Sequence, residues 1–301
     1  MNWLFDIVTF FYLIVVGAFL IEISMQWKES KHRPVIGTIG VIFALSWVII
    51  FFGAFIEPHR LDVKEVDFSM ADESTDVIKA VVVSDFHVGP YKKGSWIEKV
   101  VQKVNEQDPD IIFIPGDFIS SGVDDIQYLR PLRDLKAPLG VFAVTGNHDY
   151  AGDASDSVIS ALLEMGITVL ENEKTIIYGF QKEVILAGIS DIWFEGNVYK
   201  TLSGTSDEDL VILLSHNPDA VLYANADLAD LIISGHTHGG QIRLPFFGSV
   251  SQIPNVLGRD YDQGLFWYGN QPLFVTSGVG ETGPRARLFN SPEIVIMNIS
   301  F

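Results

Sequence analysis

The sequence of 301 residues contains no cysteine and has few basic residues for its size. Without cysteine the chain forms no disulfide, holds no metal through a thiolate and has no cysteine nucleophile. Lysine and arginine total 20 against 38 aspartates and glutamates, which gives a formal net charge of −18. Such a charge repels the backbone of nucleic acids, and no basic stripe offsets it, so we expect no nucleic-acid partner.

The apolar residues are concentrated near the N-terminus. Residues 35–56 form an uncharged run of 22, longer than the about 20 residues that a membrane-spanning helix needs. A second run, residues 7–21, is flanked by Asp6 and Glu22. Together the runs predict a transmembrane helical hairpin over residues 1–56, and hence a multi-pass protein of the cell membrane. The alternative is a hydrophobic hairpin buried in a soluble protein, whereas a cleaved signal peptide fits poorly because no Lys or Arg precedes the first run.

The basic residues around these runs bear on orientation. Lys28, Lys31 and Arg33 lie in the connector between the runs, and the positive-inside rule therefore places that connector in the cytoplasm. Both ends of the chain would then lie outside, so we expect the larger C-terminal part to be extracytoplasmic. Arg60 and Lys64, just after the second run, favour the opposite orientation.

The rest of the chain divides into a short linker and one domain. Residues 57–76 are rich in charge and poor in apolar periodicity, which predicts a tether between the bilayer and a domain over residues 77–301. In that domain, apolar runs of strand length alternate with helical patterns, as is typical of layered α/β architecture. The strand-like runs that matter most are residues 78–83, 110–115, 140–144, 184–189, 210–214 and 231–233.

Polar side chains with metal-binding chemistry follow these runs, where ligands bind in open α/β sheets. The candidate ligands are Asp85, His87, Asp117, Asn147, His216, His236 and His238. Carboxylate, amide and imidazole groups suit divalent Mn, Fe, Zn or Co. Seven ligands exceed the need of one such ion, whereas a bridging carboxylate divides the set into two sites of four ligands each.

The spacing within two of the motifs has a geometric interpretation. In an extended stretch, alternate residues point to the same side, so Asp85 and His87 are expected to share a face. His236 and His238 repeat this spacing, which lets one imidazole reach each ion. Each short motif taken alone also fits a plain turn or a surface histidine, and the hypothesis therefore depends on their occurrence together and in order.

The order Asp-x-His, Gly-Asp, Gly-Asn-His-Asp, His, Gly-His-x-His resembles the calcineurin-like metallophosphoesterase superfamily, and the resemblance covers residues 77–301. It implies a four-layer αββα sandwich of two mixed sheets. It also implies that one metal ion is held by Asp85, His87, Asp117 and His238 and the other by Asp117, Asn147, His216 and His236. By the same resemblance His148 is the catalytic histidine near the leaving group.

Residues 235–245, 261–265 and 291–294 are similar to a narrower, membrane-associated bacterial branch called YkuE-like. That branch includes enzymes that act on the diphosphate of UDP-diacylglucosamine, so a phosphorylated lipid is an expected substrate beside phosphorylated small molecules. The branch also carries an arginine near a proline, and Arg285 and Arg287 are both candidates for that position.

These observations lead to a hypothesis of function. We expect a metal-dependent phosphohydrolase in which a hydroxide bridging two divalent metals attacks a phosphate ester or anhydride. His148 then protonates the leaving oxygen, and Asp149 orients His148. The alternatives are a nuclease-type phosphodiesterase on the same fold, which the charge disfavours, and a catalytically silent, membrane-bound metal-binding scaffold, which typically lacks a ligand.

Several apolar clusters between the motifs have two interpretations. They are Trp193 with Phe194, Phe246 with Phe247, and residues 265–268. Such clusters form a wall for an acyl chain, or they belong to the core or to a membrane-facing surface.

Overall fold

In the computed structural model the chain is described over residues 2–27, 30–70, 77–178 and 183–301. Lys28 of the predicted basic connector and residues 71–76 of the predicted linker lie outside these ranges. The α-helices are α1 (Asn2–Gln26), α2 (Arg33–Phe51), α3 (Gly94–Asn105), α4 (Ser155–Glu164) and α5 (Val198–Thr201). The strands are β1 (Asp62–Ser69), β2 (Val77–Val82), β3 (Ile111–Pro115), β4 (Val141–Val144), β5 (Thr168–Val169), β6 (Glu173–Ile177), β7 (Val184–Gly188), β8 (Leu210–Leu214), β9 (Leu231–Ser234), β10 (Arg243–Leu244), β11 (Gly248–Ser249), β12 (Gly264–Tyr268), β13 (Gln271–Val275) and β14 (Glu293–Ser300).

The two predicted apolar helices pack against each other as a hairpin. The segments long and apolar enough to cross a membrane are Trp3–Gln26 and Arg33–His59, and most of their large apolar side chains are exposed. Between the helices, Trp47 Nε1 donates to the carbonyl of Leu13 at 2.9 Å. An exposed apolar surface of this extent requires a nonpolar environment, so the hairpin associates the protein with a membrane.

Polar contacts join the hairpin to the domain. Asp6 in α1 accepts a hydrogen bond from Tyr91 Oη at 3.2 Å and lies 3.6 Å from Arg285 Nε. Just after α2, the buried carboxylate of Glu57 accepts the backbone N–H groups of Phe289 at 2.9 Å and Asn290 at 2.8 Å. Removing one partner from such a buried group costs about 1–3 kcal/mol, so these contacts fix the domain against the end of the hairpin.

Two mixed sheets of six strands form the centre of the domain, as the resemblance implies. The first has the order β1-β14-β2-β3-β4-β5 and the second the order β12-β13-β9-β8-β7-β6. Strands β2 to β5 run parallel in the first sheet, and strands β7, β8, β9 and β13 run parallel in the second. Antiparallel neighbours complete both sheets.

Three layers of apolar side chains hold the sandwich together. The middle layer lies between the sheets and takes Ile78, Ala80 and Val82 from β2 together with residues of β7, β8 and β13. Val81, between them, points the other way into the layer beneath α3 and α4. A third layer packs α5 and neighbouring loops on the second sheet. Burial on both faces explains why the strands are continuous apolar runs rather than alternating ones.

Part of the segment predicted as a tether belongs to the first sheet. Strand β1 pairs in parallel with β14 along its whole length, from Asp62 opposite Glu293 to Ser69 opposite Ser300. Its position at the sheet edge explains the weak apolar signal, because only Phe68 is buried and the charged residues remain exposed or half-buried. The hairpin therefore continues into the sheet by way of an ordered edge strand.

Candidate metal centre

The polar side chains that the sequence singles out meet at one edge of the sandwich. They follow strands β2 (Asp85, His87), β3 (Asp117), β4 (Asn147), β8 (His216) and β9 (His236, His238). Strands β2, β3 and β4 run parallel in the first sheet, and strands β8 and β9 run parallel in the second. Their carboxyl ends therefore lie at one edge of each sheet. Side chains from the two sheets meet there, Asp117 with His216 at 3.2 Å and His87 with His238 at 3.1 Å.

Five atoms that can bind a metal ion form a line of short contacts through this cluster, and Asp117 Oδ2 is the middle one. We call these five atoms the line of donor atoms. On one side, His87 Nε2 lies 3.2 Å from Asp117 Oδ2 and 3.1 Å from His238 Nε2. On the other side, His216 Nε2 lies 3.2 Å from the same oxygen and 3.1 Å from His236 Nδ1. All five side chains are buried. One carboxylate oxygen therefore lies between two pairs of imidazoles and contacts one imidazole of each pair.

The spacing of these atoms fits the coordination of metal ions. Two donors bound to one ion at about 2.0–2.2 Å lie about 3.0–3.5 Å from each other. The ligand atoms in each of two groups lie within 4.8 Å of one another: Asp85, His87, Asp117 and His238, and Asp117, His216 and His236. The Oδ1 of Asn147, after β4, is buried and accepts no hydrogen bond from the described part of the chain, so it is a candidate for a further ligand atom.

Hydrogen bonds on the far side of two imidazoles aim their lone pairs into the cluster. His216 Nδ1 lies 2.8 Å from the carbonyl of Pro115, and His236 Nε2 lies 2.8 Å from the carbonyl of Pro254. A carbonyl only accepts, so these nitrogens carry a proton, and in the neutral form of each ring, the form that binds a metal, His216 Nε2 and His236 Nδ1 are the acceptors. This arrangement is typical of metal-ligating histidines, and the residues therefore fit divalent ions.

The backbone of the ligand residues is not extended, which corrects the geometric argument made from the spacing. Positive φ angles occur at Asp85 (54°), His87 (43°), Asp117 (57°), His236 (71°) and His238 (52°). Each such residue costs of order 1–3 kcal/mol and persists where surrounding contacts determine it. Turns of left-handed backbone, and not alternation along a strand, bring Asp85 to His87 and direct His236 and His238 to different groups.

Two glycines leave room for the carboxylates. A Cβ on Gly146 would collide with the Asp117 carboxylate, and one on Gly235 would collide with that of Asp85. The φ of Gly146 is −111°, which any residue can adopt, so glycine is required at this position by space and not by backbone conformation. These glycines make room for the candidate ligands, a purpose that the motif spacing does not reveal.

Asp149 holds the loop of Asp117, which corrects the expectation that it orients His148. Its buried carboxylate accepts backbone N–H groups from Asp117 (3.1 Å), Phe118 (2.8 Å), Ile119 (3.2 Å) and Gly146 (2.9 Å). Burial and the neighbouring Asp117 charge raise the pKa of Asp149 to about 7. The loops after β3 and β4 are therefore tied together by one side chain.

His148 lies at the rim of the cluster. Its Nδ1 is 3.2 Å from the carbonyl of Ser120, and its Nε2 is 3.5 Å from Thr282 Oγ1. Its ring centroid is 4.6 Å from that of His87. Burial and the His87 charge lower its pKa. His148 is half-buried.

The pKa shifts of the central side chains indicate that the cluster favours a bound positive charge. Burial would raise the pKa of Asp117, but His216 and His87 hold it well below its usual range. Burial opposes protonation of His216 too, yet Asp117 raises its pKa to about 10. The pKa of His236 falls to about 3 through burial and the His216 charge. A site that retains protons between a carboxylate and imidazoles exchanges them for a divalent cation when one binds.

Some residues at this edge were missed by sequence reasoning. Asp191, after β7, is buried, and its Oδ1 accepts the N–H of Trp193 at 2.9 Å. Its position after a strand at the same edge was the signal that could have found it. Asn290 donates to the carbonyl of His238 at 2.7 Å, a contact between segments 52 residues apart that no local pattern reveals.

The two candidate arginines have different surroundings. Arg287 is fully buried and donates to the carbonyls of Ser277 and Gly280, at 2.8 and 2.6 Å from its Nη2. Arg285 instead lies at the junction with α1, beside Asp6. Arg287 therefore holds the loop after β13, and Arg285 holds the membrane hairpin.

The apolar clusters that had two interpretations are divided by the structure. Trp193 lies edge-on to the His236 ring at 4.7 Å, and both Trp193 and Phe194 are about half exposed. Phe246 and Phe247 are exposed. Residues 265–268 form an edge strand, in which Leu265 and Phe266 pack against the core layers. A pocket of about 320 Å³ beside the centre is lined by His236, His238, Gln241, Ile242, Thr282 and Pro284, among others.

Comparisons with known proteins agree with this geometry. The family model described as calcineurin-like phosphoesterase matches residues 78–240. The metallophosphoesterase YkuE of Bacillus subtilis is 32% identical over 82% of this chain and 88% of its own length. A metallophosphoesterase of Helicobacter pylori is 28% identical over 92% of this chain and 74% of its own length.

A relative from an animal and a solved structure complete the comparison. A transmembrane protein with a metallophosphoesterase domain from Danio rerio is 32% identical over 79% of this chain and 56% of its own length. The phosphopantetheinyl hydrolase PptH of Mycobacterium tuberculosis aligns with 70% of this chain and 95% of that chain, at a TM-score of 0.42 and 14% identity.

Proposed function

This chain belongs to the calcineurin-like phosphoesterase family, and we propose that it hydrolyses a phosphate ester or anhydride bond at the candidate metal centre. The observation that supports the proposal is the line of donor atoms with Asp117 Oδ2 at its middle. On each side of Asp117 Oδ2 an imidazole nitrogen lies 3.2 Å from this oxygen. Such symmetry suits a pair of ions that share one carboxylate.

We infer two ions of Mn, Fe, Zn or Co. Asp85, His87, Asp117 and His238 would hold one, and Asp117, Asn147, His216 and His236 the other. When bound, divalent ions neutralise charge on phosphoryl oxygens and lower the pKa of the attacking water. The protein's part is to keep the ligands fixed, which Asp149 does for the loop of Asp117 through four backbone N–H groups.

His148 is the proposed catalytic histidine. Its Nδ1–H donates to the carbonyl of Ser120, so the ring is held with Nε2 at 3.5 Å from Oγ1 of Thr282, a residue that lines the pocket beside the centre. We infer that in its doubly protonated form the ring gives the Nε2 proton to the leaving oxygen, or a hydrogen bond as charge develops there, and keeps the Nδ1 proton. The position at the rim suits this role, because the leaving group departs away from the buried centre.

We also propose that the substrate carries an apolar chain, a phosphorylated lipid such as UDP-diacylglucosamine. A second cavity, of about 370 Å³, lies between the helices and the domain and is lined by Val8, Tyr12, Ile49, Ala54 and Leu288, among others. Ile242 lines both this cavity and the pocket beside the metal centre. An acyl chain would pass from the bilayer region past Ile242 while its phosphate reached the centre.

The hairpin is proposed to cross the membrane twice, with the domain outside the cytoplasm. The basic residues Lys31 and Arg33 lie at the turn of the hairpin, whereas Asp6 and Glu57 contact the domain at its other end. The positive-inside rule then places the turn in the cytoplasm and the domain on the opposite side.

Two substitutions separate the proposed roles at the centre. Asp117→Asn should abolish turnover and lower the metal content, because the shared ligand loses its charge. His148→Ala should slow turnover by about 10²- to 10⁴-fold, the usual contribution of proton transfer, with the metal content retained. Elemental analysis and rates on a small phosphomonoester, a phosphodiester and single-stranded DNA measure both effects.

Glu98→Ala, on the exposed face of α3, serves as the control and should change neither quantity. Full activity of the Asp117→Asn variant would end the proposal. Cleavage of single-stranded DNA far faster than of the small esters would favour a nuclease.

Filling the apolar cavity tests the lipid substrate. Ala54→Phe should lower kcat/KM for a lipid-linked diphosphate by about tenfold or more, the effect of lost apolar contacts, and leave a soluble phosphomonoester unaffected. Ala18→Phe places the same bulk on the exposed face of α1 and should change neither rate. Equal rates of the Ala54→Phe variant and the wild type on the lipid substrate would contradict the proposal.

Because the chain has no cysteine, a single introduced cysteine can report on which side of the membrane the domain lies. Tyr178→Cys, exposed at the sheet edge opposite the metal centre, should react with a membrane-impermeant maleimide in intact cells. His32→Cys at the turn of the hairpin should react only after permeabilisation. The reverse pattern would place the domain in the cytoplasm.

A further inference from the structure

A small β-hairpin beside the metal centre, formed by β10 and β11, carries large apolar side chains at its tip. In this subsection "the hairpin" means this β-hairpin. Strands β10 and β11 pair through Arg243 with Ser249 and Leu244 with Gly248. At the tip, Phe246 is fully exposed and Phe247 is 65% exposed, while Leu244 is 45% exposed. Burying a phenylalanine side chain is favourable, so two exposed together at one tip indicate a contact beyond the folded chain.

The root of this hairpin lies alongside the membrane helices. Ile242, directly before β10, lines the apolar cavity together with Val8 and Tyr12 of α1 and Ile50 of α2. Asp6 marks the level at which α1 meets the polar surface of the domain. Tyr12 is six residues further into the helix, a rise of about 9 Å. The same cavity is also lined by Phe5, next to Asp6, so the root of the hairpin lies against the stretch of α1 that leads from its polar end into its apolar part.

A cationic group accompanies the aromatic tip. The guanidinium of Arg259 lies 5.8 Å from the Phe247 ring, and its Nη2 donates to the carbonyl of Val250 at 3.2 Å. Aromatic rings with a neighbouring arginine suit the boundary between headgroups and acyl chains, where the rings enter the apolar side and the guanidinium meets phosphates.

The hairpin is also joined to the loop of the candidate ligands. Arg243 Nη1 donates to the carbonyl of Gly239 at 2.8 Å and to the Asp262 carboxylate at 2.5 Å. Its backbone N–H donates to the carbonyl of Leu288 at 2.8 Å. Gly239 directly follows His238, so any surface that holds the hairpin also holds the loop at the metal centre.

We propose that Leu244, Phe246 and Phe247 insert into the headgroup boundary of the same bilayer that α1 and α2 enter. The lipid surface is the occupant because the root of the hairpin continues the apolar surface of the membrane helices. This contact is separate from the hydrolytic activity and from any lipid substrate. Its effect is to hold the pocket beside His236 and His238 at the membrane surface.

Site-directed spin labelling tests the insertion directly, since the chain has no cysteine of its own. Phe246→Cys and, as the matched exposed aromatic, Tyr178→Cys are labelled in the full chain and placed in nanodiscs of phosphatidylcholine and phosphatidylglycerol. Collision with oxygen, which concentrates in acyl chains, is compared with collision with a water-soluble nickel chelate. The oxygen-to-nickel ratio should be severalfold higher at 246 than at 178.

Equal ratios at the two positions would overturn the proposal. Low accessibility of position 246 to both reagents would overturn it as well, because it would indicate cover by protein, such as a second copy of the chain. Leu244→Cys, on the other side of the tip, gives an independent second reading and should follow Phe246→Cys.

Discussion

The Asp117 carboxylate lies between two pairs of buried imidazoles, and the surrounding loops are built to keep it there. Burial alone would favour its neutral form, but the histidines on both sides maintain its charge. Asp149 fixes its backbone, and Gly146 leaves space for its side chain. Since β3 contributes Asp117 while β8 and β9 contribute His216 and His236, this one group also joins the two sheets at their carboxyl edge.

The membrane hairpin is connected to this centre by short chains of hydrogen bonds. Glu57, at the end of the second apolar span, accepts a hydrogen bond from the backbone N–H of Asn290. The side chain of Asn290 in turn donates to the carbonyl of His238. The N–H of Arg287 donates to the carbonyl of Gly53 at 2.9 Å. The anchor is therefore part of the framework of the site and not a flexible attachment, which agrees with the strand that follows it.

Much of this arrangement could be predicted from the sequence, and the family resemblance is confirmed. The apolar runs predicted the helices and the sheet strands because local periodicity reflects burial. Strand β1 was missed because its pairing with β14 joins residues more than 200 positions apart. The left-handed backbone at Asp85 and His238, the hydrogen bonds of Asp149 and the cavity beside Ile242 arise from tertiary contacts, which residue types and spacing do not encode.

Two ions are proposed to share the Asp117 carboxylate, and electron paramagnetic resonance of the manganese-loaded protein measures that sharing most directly. Ions bridged by one carboxylate oxygen interact magnetically. At saturating manganese the wild-type protein should give the spectrum of an exchange-coupled pair, and the coupling should be lost in Asp117→Asn. A spectrum of isolated ions at saturation in the wild-type protein would contradict it.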